Sequence, residues 1–213
     1  MATTNLRKQL LQLALPLVKT HGFTREALSL SALSLPNPHA EPLRDTAVSS
    51  LFGEGDEARR TLTSAWIDEG RTQMRQTPSL NVRDALHSRL RYNEPVLKLL
   101  PEAFATMALS SSSFHLIDPQ PALKHAASVA DEACVISGDT TTGTMWYARR
   151  ASLAAIYSTA ELHQLVSPKT AYEFLDSLLD TSTKVKNSLD EAGLFATYVA
   201  KSWAGILKSR GVF

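Results

Sequence analysis

The sequence has one cysteine, almost no net charge and no long apolar segment. Cys134 alone cannot form an intramolecular disulfide or a zinc site built from several cysteines, and in its apolar helical surroundings it is expected to be an inert core thiol. The formal net charge of +1 provides no overall field to attract nucleic acid. No apolar run approaches the roughly 20 residues that a membrane-spanning helix requires.

Recognisable catalytic and metal-binding motifs are also absent. The six histidines are scattered, and none forms the HExxH or ExxH spacing that places histidine and carboxylate ligands on one helical face. There is no GxSxG turn to expose a nucleophilic serine. The sequence therefore predicts no catalytic residue, no metal site and no enzymatic activity. The N-terminal stretch has helical periodicity and predicts neither a signal peptide nor a transit peptide within this chain.

Helical periodicity runs through most of the chain. Hydrophobic residues make up 44% of the sequence, enough for a substantial core, and no strand-like alternation of useful length occurs. The pattern predicts an all-α protein. The expected helices cover 4–20 with a break at Pro16, a short segment after Thr24, and the ranges 43–50, 54–76, 80–92, 96–100, 101–109, 121–136, 144–166 and 170–184.

The three short N-terminal helices before a long fourth resemble the arrangement of TetR-type regulators. In those proteins the second and third helices form a helix-turn-helix that reads the major groove of DNA. Such binding needs several cations against the phosphates, and this part of the chain offers Arg25 and Arg44 and little else. A ligand-responsive DNA-binding regulator is therefore kept as the alternative function.

The C-terminal segment combines an apolar stripe with lysines on the opposite side. Phe195, Val199, Trp203 and Ile206 fall on one face of a helix at 100° per residue. Two interpretations fit this pattern equally well. The helix lies in a membrane interface through these four residues, or it docks on the core of its own domain or on a dimer partner.

The stretch 137–162, SGDTTTGTMWYARRASLAAIYSTAEL, carries a specific combination of spacings. Its Gly-Asp, Trp-Tyr, Arg, Tyr and Glu-Leu elements resemble the core motif of the Coq-nine family of ubiquinone-biosynthesis accessory proteins. The segments 10–28 and 167–180 are similar to the opening and penultimate helices of that family, so the resemblance spans most of the chain. The sequence departs from the family pattern at Gly143, Met145 and Ala148.

The resemblance implies a TetR-like all-α fold of about nine to ten helices with a C-terminal amphipathic helix. The expected organisation is a lipid-binding domain over 1–186, with a helix-turn-helix-like part over 1–52 and a ligand and partner part over 53–186. The segment 187–213 would be the membrane-binding helix.

The resemblance also implies a non-enzymatic role in ubiquinone biosynthesis. Family members bind isoprenoid or quinone lipids and phospholipids as ligands, use no cofactor, and present intermediates to the di-iron demethoxyubiquinone hydroxylase. They lie peripherally on the matrix side of the mitochondrial inner membrane and are not nucleic-acid binders; whether this chain is a monomer or a homodimer is left open. The family's partner-docking patch corresponds here to Asp131, Trp146, Tyr147 and, beside them, Arg150.

A water-insoluble ligand needs an apolar cavity between helices. The alanine-rich faces of the predicted helices 121–136 and 144–166 would leave space for one. For any single residue, an ordinary place in the packed core is the competing interpretation. The residues expected to line the cavity are Trp66, Leu100, Phe104, Met107, Leu153, Ile156 and Tyr157.

Overall fold

A computed structural model describes residues 2–76, 81–109 and 118–184, without the side chains of 2–4, 183 and 184. Within these ranges the protein is all-α and contains no strand. The helices are α1 (Ala2–Ala14), α2 (Val18–His21), α3 (Arg25–Leu30), α4 (Asp45–Phe52), α5 (Asp56–Gln76), α6 (Val82–Asn93), α7 (Leu100–Ala108), α8 (Gln120–Ile136), α9 (Gly143–Val166) and α10 (Ala171–Lys184).

Helix ends follow local sequence signals. The first predicted helix breaks on either side of Pro16, since α1 ends at Ala14 and α2 begins at Val18. The hydroxyl of Thr24 caps α3 by accepting from the Ala27 amide at 3.3 Å. The brief helix predicted over 96–100 is wrong. A 3₁₀ turn covers Glu94–Val96 instead, because a proline without an N–H fits the first turn of such an element rather than the position before it.

The described residues form two compact units. The first takes its residues from 2–69 and 98–109, and the second from 70–76, 81–97 and 118–184. The predicted TetR-like arrangement is compatible with the helix order. The predicted boundary at residue 186 lies outside the described residues, as does the predicted amphipathic helix over 187–213. Within the described ranges, no helix combines the length and hydropathy that a bilayer crossing requires.

In the first unit, the Arg25 side chain joins α3 to α4. Arg25 donates through Nη2 to Asp45 Oδ1 at 2.7 Å and to the Ser49 hydroxyl at 2.7 Å. Its Nη1 donates to the Gly53 carbonyl at 3.1 Å. One of the two cations considered for DNA contact is therefore committed to joining two helices of its own unit.

The second unit is built around the α8–α9 hairpin. These two helices pack together more extensively than any other pair, and α6 and α10 complete the core. Gly138, with φ of +67°, ends α8 in the left-handed conformation that glycine adopts without strain. The core contains Met74, Ala85, Leu86, Leu90, Ala126, Val129, Ala130, Ala133, Cys134, Leu153, Ile156, Tyr157, Ala160, Leu175 and Leu179.

Candidate functional site

Two large aromatic side chains stand exposed in the first turn of α9. Tyr147 is 70% exposed and Trp146 is 37% exposed. Their ring centroids lie 4.8 Å apart in an edge-to-face arrangement with an interplanar angle of 76°. Aromatic residues presented on a rigid helix start are suited to anchoring a partner, because they bury a large area at little entropic cost.

Arg150 holds the indole of Trp146 in place. Its Cζ lies 4.0 Å from the centre of the Trp146 ring, so the guanidinium covers one face of the indole. The same guanidinium donates through Nε to Asp131 Oδ1 at 2.6 Å. Asp131, Trp146, Tyr147 and Arg150, here called the aromatic patch, are therefore brought together by α8 and α9.

A buried carboxylate supports the aromatic patch from below. The Asp139 side chain is only 3% exposed. Its Oδ2 accepts from the Thr141 hydroxyl at 2.7 Å and from Arg150 Nη1 at 3.2 Å, and Arg149 Nε lies 3.5 Å from Oδ1. The hydrogen bond from Thr141 lowers the pKa of Asp139 against the effect of burial, and the arginines lower it further.

The charges around the patch cancel. Two carboxylates, Asp131 and Asp139, face two guanidinium groups, Arg149 and Arg150. The patch therefore offers a partner aromatic surface rather than net charge. Two further apolar side chains are exposed in the neighbouring helix ends, Val135 in the last turn of α8 and Met145 in the first turn of α9.

A second group of polar side chains lies deep in the same unit. Glu161 Oε1 accepts from the Tyr157 hydroxyl at 2.6 Å and from Asn93 Nδ2 at 2.9 Å. His125 Nε2 lies 3.0 Å from Glu161 Oε2 and, because a carboxylate only accepts, must donate there. Arg89 Nη1 donates to Asn93 Oδ1 at 2.7 Å. All five residues are buried, and they are called the buried polar cluster below.

The cluster keeps Glu161 ionised. Burial by itself raises the pKa of Glu161, but the His125 imidazole, the Arg89 guanidinium and the Tyr157 hydroxyl outweigh it and lower the pKa to about 2. Burial and the nearby Glu161 carboxylate raise the pKa of Tyr157 well above its ordinary value, although Arg89 opposes them. The phenol therefore remains a neutral donor toward the carboxylate.

The lowered pKa predicts an acid-dependent loss of stability. A carboxyl whose pKa falls on folding stabilises the protein fully above its unfolded pKa, ordinarily 4.5, and loses that contribution as pH falls toward about 2. We expect the difference in unfolding free energy between the wild type and Glu161→Gln to shrink below pH 5. The expected slope grows from roughly half of its limiting value near pH 4.5 to about 1 kcal/mol per pH unit near pH 3. Urea denaturation at a series of pH values measures it.

The exposed carboxyl Glu102 supplies a matched control. It pairs with Arg59 at the surface, so the difference between the wild type and Glu102→Gln is expected to change much less across the same pH range. A wild-type advantage over Glu161→Gln that is as large at pH 3 as at pH 7 would contradict the assignment of a low pKa to Glu161.

The region that carries this site is similar to a known protein family. Residues 120–186, which span α8 to α10, match the COQ9 family model. The chain is 31% identical over 202 residues to the Bos taurus protein "Ubiquinone biosynthesis protein COQ9, mitochondrial", and 30% identical over 202 residues to the Homo sapiens protein of that name. The chain is therefore similar to the COQ9 family, and these matches support a relationship to it. The alignments cover 88% of this chain and 57% of each relative, so the chain spans somewhat more than half of their length.

Both groups of side chains have members inside the COQ9 match. The whole aromatic patch and its support, Asp139, lie within residues 120–186. His125, Tyr157 and Glu161 of the buried polar cluster lie there too. The family match therefore covers the α8–α9 hairpin, on which both candidate sites have residues. It agrees with the resemblance inferred from the motif over 137–162.

The residues predicted to line a lipid cavity divide between the two units of the chain. The three on α9 belong to the second unit, and all are buried. The other four belong to the first unit, where Met107 is half-buried and the rest are buried. Their role in lipid binding stays a prediction. The predicted membrane-binding residues lie outside the described residues; they are Phe195, Val199, Trp203 and Ile206.

Sequence patterns did not predict the contacts of the buried polar cluster, of which only Tyr157 was expected at a site, or the burial of Asp139. One signal was available for the cluster. Arg89 and Asn93 follow Leu86 and Leu90 at the spacing of one helical face, so two polar residues occupy the core stripe of α6. Glu161 and His163 lie two positions apart on α9 and have different partners. Glu161 binds within the cluster, whereas His163 Nε2 lies 2.8 Å from the Thr170 hydroxyl.

Proposed function

We propose that this chain is a non-enzymatic accessory protein of ubiquinone biosynthesis. It binds isoprenoid or quinone lipids and presents intermediates to the di-iron demethoxyubiquinone hydroxylase. The observation that carries the proposal is the similarity to the COQ9 family, since the matched region holds the aromatic patch. Relatives of 31% and 30% identity are named as ubiquinone biosynthesis proteins.

The geometry of the aromatic patch supports a docking role. Trp146 and Tyr147 are exposed, yet the indole is held by Arg150 and the carboxylates beneath it. A pre-positioned aromatic anchor loses little freedom on binding, which favours affinity. We propose that this patch meets the hydroxylase.

A lipid ligand rather than a cofactor fits the rest of the proposal. The second unit combines a large apolar core with a group of buried polar side chains. Ligand sites of this kind are mostly apolar, with a few polar groups that orient the ligand. Isoprenoid lipids and phospholipids are the proposed ligands.

We propose a mitochondrial location, peripheral on the matrix side of the inner membrane. The names of the bovine and human relatives include the word mitochondrial. The apolar stripe and opposing lysines of residues 187–213 suit attachment to a membrane interface.

The DNA-binding alternative receives no support. A recognition surface needs several free cations. In this chain Arg25 is tied to Asp45, Ser49 and Gly53.

Lipid binding is tested by native mass spectrometry and solvent extraction of the purified full chain. We expect an isoprenoid lipid to co-purify, and an added short-tail ubiquinone analogue to bind. An unrelated all-α protein purified in parallel controls for adhering lipid. Absence of co-purifying lipid together with no binding of the quinone analogue would overturn the lipid-binding part of the proposal.

A further inference from the structure

Arg89 is a completely buried arginine whose hydrogen-bonding capacity is largely unused. Its relative exposure is 0%. A guanidinium carries five N–H donors. Nη1 donates to Asn93, whereas Nε and Nη2 have no hydrogen-bond partner among the residues that the structure describes. Nη2 lies 3.9 Å from Glu161 Oε1, a distance that balances charge without making a hydrogen bond.

The carboxylate opposite Arg89 is already occupied. Glu161 accepts from Tyr157 and Asn93 through Oε1 and from His125 through Oε2. Toward Glu161, Arg89 therefore contributes charge rather than a hydrogen bond. A buried donor without a hydrogen-bond partner is unfavourable. The guanidinium also lies over the Tyr92 ring, with Cζ 5.9 Å from the ring centroid, but within the described residues Nε and Nη2 have no acceptor.

A glycine makes room for the guanidinium. A Cβ at Gly70 of α5 would lie 2.9 Å from Arg89 Cζ, 3.0 Å from Arg89 Nε and 2.9 Å from Tyr92 Cδ1. Gly70 has no positive φ, so its role is spatial rather than conformational. Glycine is less favourable than alanine in a helix interior, and at this position it leaves the space that the Arg89 guanidinium occupies.

The surroundings define the acceptor that fits. Leu86 and Leu90 on the same helix and Ile156 on α9 are buried apolar residues of this unit, so the polar groups of the cluster are enclosed in an apolar core. An anionic ligand would be repelled by the ionised Glu161. We infer that Arg89 Nε and Nη2 bind a neutral oxygen, a carbonyl, hydroxyl or methoxy group, on the ring of a quinone- or phenol-type lipid. The inference rests on the proposed lipid-binding function and adds the head-group contact.

Entry of a ligand requires motion, because Arg89 is fully enclosed. The helices around the cluster must separate locally for a ring to reach Nε and Nη2. Association that requires a conformational change is slower than simple docking. We expect slow binding of a ring-bearing ligand.

The test compares two ligands that differ in their ring oxygens. Decylubiquinone and decylbenzene carry the same tail, but only the first has acceptor oxygens. Each is supplied to the full chain from identical phosphatidylcholine vesicles, and occupancy is measured by native mass spectrometry. We expect the wild type to prefer decylubiquinone by about tenfold or more, the effect of a hydrogen bond from a charged donor.

Variants at the guanidinium remove the preference. Arg89→Lys keeps the positive charge but lacks the planar fork of donors. Arg89→Met/Glu161→Gln removes both charges together and so avoids a lone buried ion. Gly70→Ala displaces the guanidinium without altering charge. Each folded variant, verified by circular dichroism, is expected to bind decylbenzene as the wild type does and to lose most of its preference for decylubiquinone.

Arg83→Met on the same helix is the matched control. Arg83 pairs with Asp176 and Asp180 at the surface, and this variant should keep the full preference. Equal wild-type affinity for the two ligands, or an unchanged preference in Arg89→Met/Glu161→Gln, would overturn the head-group inference while leaving lipid binding intact. Binding of neither ligand would overturn the lipid-binding proposal itself.

Discussion

Arg89→Met is expected to lower the free energy of unfolding by about 3–5 kcal/mol, the cost of removing one partner from a buried ion pair. Arg89 and Glu161 are 0% and 1% exposed, so water cannot replace the lost charge. Asn93 also loses the donor that binds its Oδ1 at 2.7 Å. Urea denaturation at pH 7 measures the loss, with the apparent m value checking that unfolding remains two-state.

Two variants separate pair-breaking from general damage to the core. Arg89→Met/Glu161→Gln is expected to recover most of the stability, because removing both charges leaves no uncompensated buried ion. Arg83→Met breaks a surface pair on the same helix and should cost no more than about 1 kcal/mol. A loss below 1 kcal/mol for Arg89→Met, or a double variant as unstable as the single one, would show that Glu161 does not depend on Arg89.

Trp146→Glu is expected to weaken binding to the di-iron demethoxyubiquinone hydroxylase by roughly 30-fold or more, corresponding to about 2 kcal/mol. The substitution removes an aromatic anchor and places a carboxylate next to Asp131. Arg150 cannot neutralise the new charge alone, since it already binds Asp131 and Asp139. Surface plasmon resonance with the purified hydroxylase measures the change.

Val166→Glu provides the comparison on the same helix. Val166 is 73% exposed in the last turn of α9, at the opposite end from the aromatic patch. Its substitution should leave the affinity within about twofold. Equal loss in the two variants would indicate a nonspecific effect of negative charge on α9. Unaltered binding by a folded Trp146→Glu variant would show that the aromatic patch is not the docking surface. Absence of binding by the wild type would contradict the proposal that the hydroxylase is the partner.

Local sequence was sufficient to predict most helices. The break at Pro16, the cap at Thr24 and the stop at Gly138 each depend on the chemistry of one or two residues and their neighbours. The composition of the aromatic patch followed from the family resemblance, because the spacing alone does not tell whether Trp146 and Tyr147 are packed or exposed. Residues 187–213 stay a prediction from periodicity.

The buried polar cluster could not be predicted in the same way. Arginine and glutamate are seldom fully buried, so a sequence pattern assigns them to the surface by default. Glu161 joins Asn93 across 68 positions and His125 across 36. Such pairings depend on how α6, α8 and α9 pack, which no local signal specifies.

The motif over 137–162 shows the same difference between local and tertiary information. Its sequence by itself determined a glycine stop, a new helix and an aromatic pair at the start of that helix, because these depend on backbone conformation and short-range spacing. Only the tertiary structure decided that Asp139 is buried beneath Arg149 and Arg150 and that Glu161 faces Arg89. Burial and charge pairing are properties of the packed helices, and a carboxylate acquires its pKa and its partners only when those helices come together.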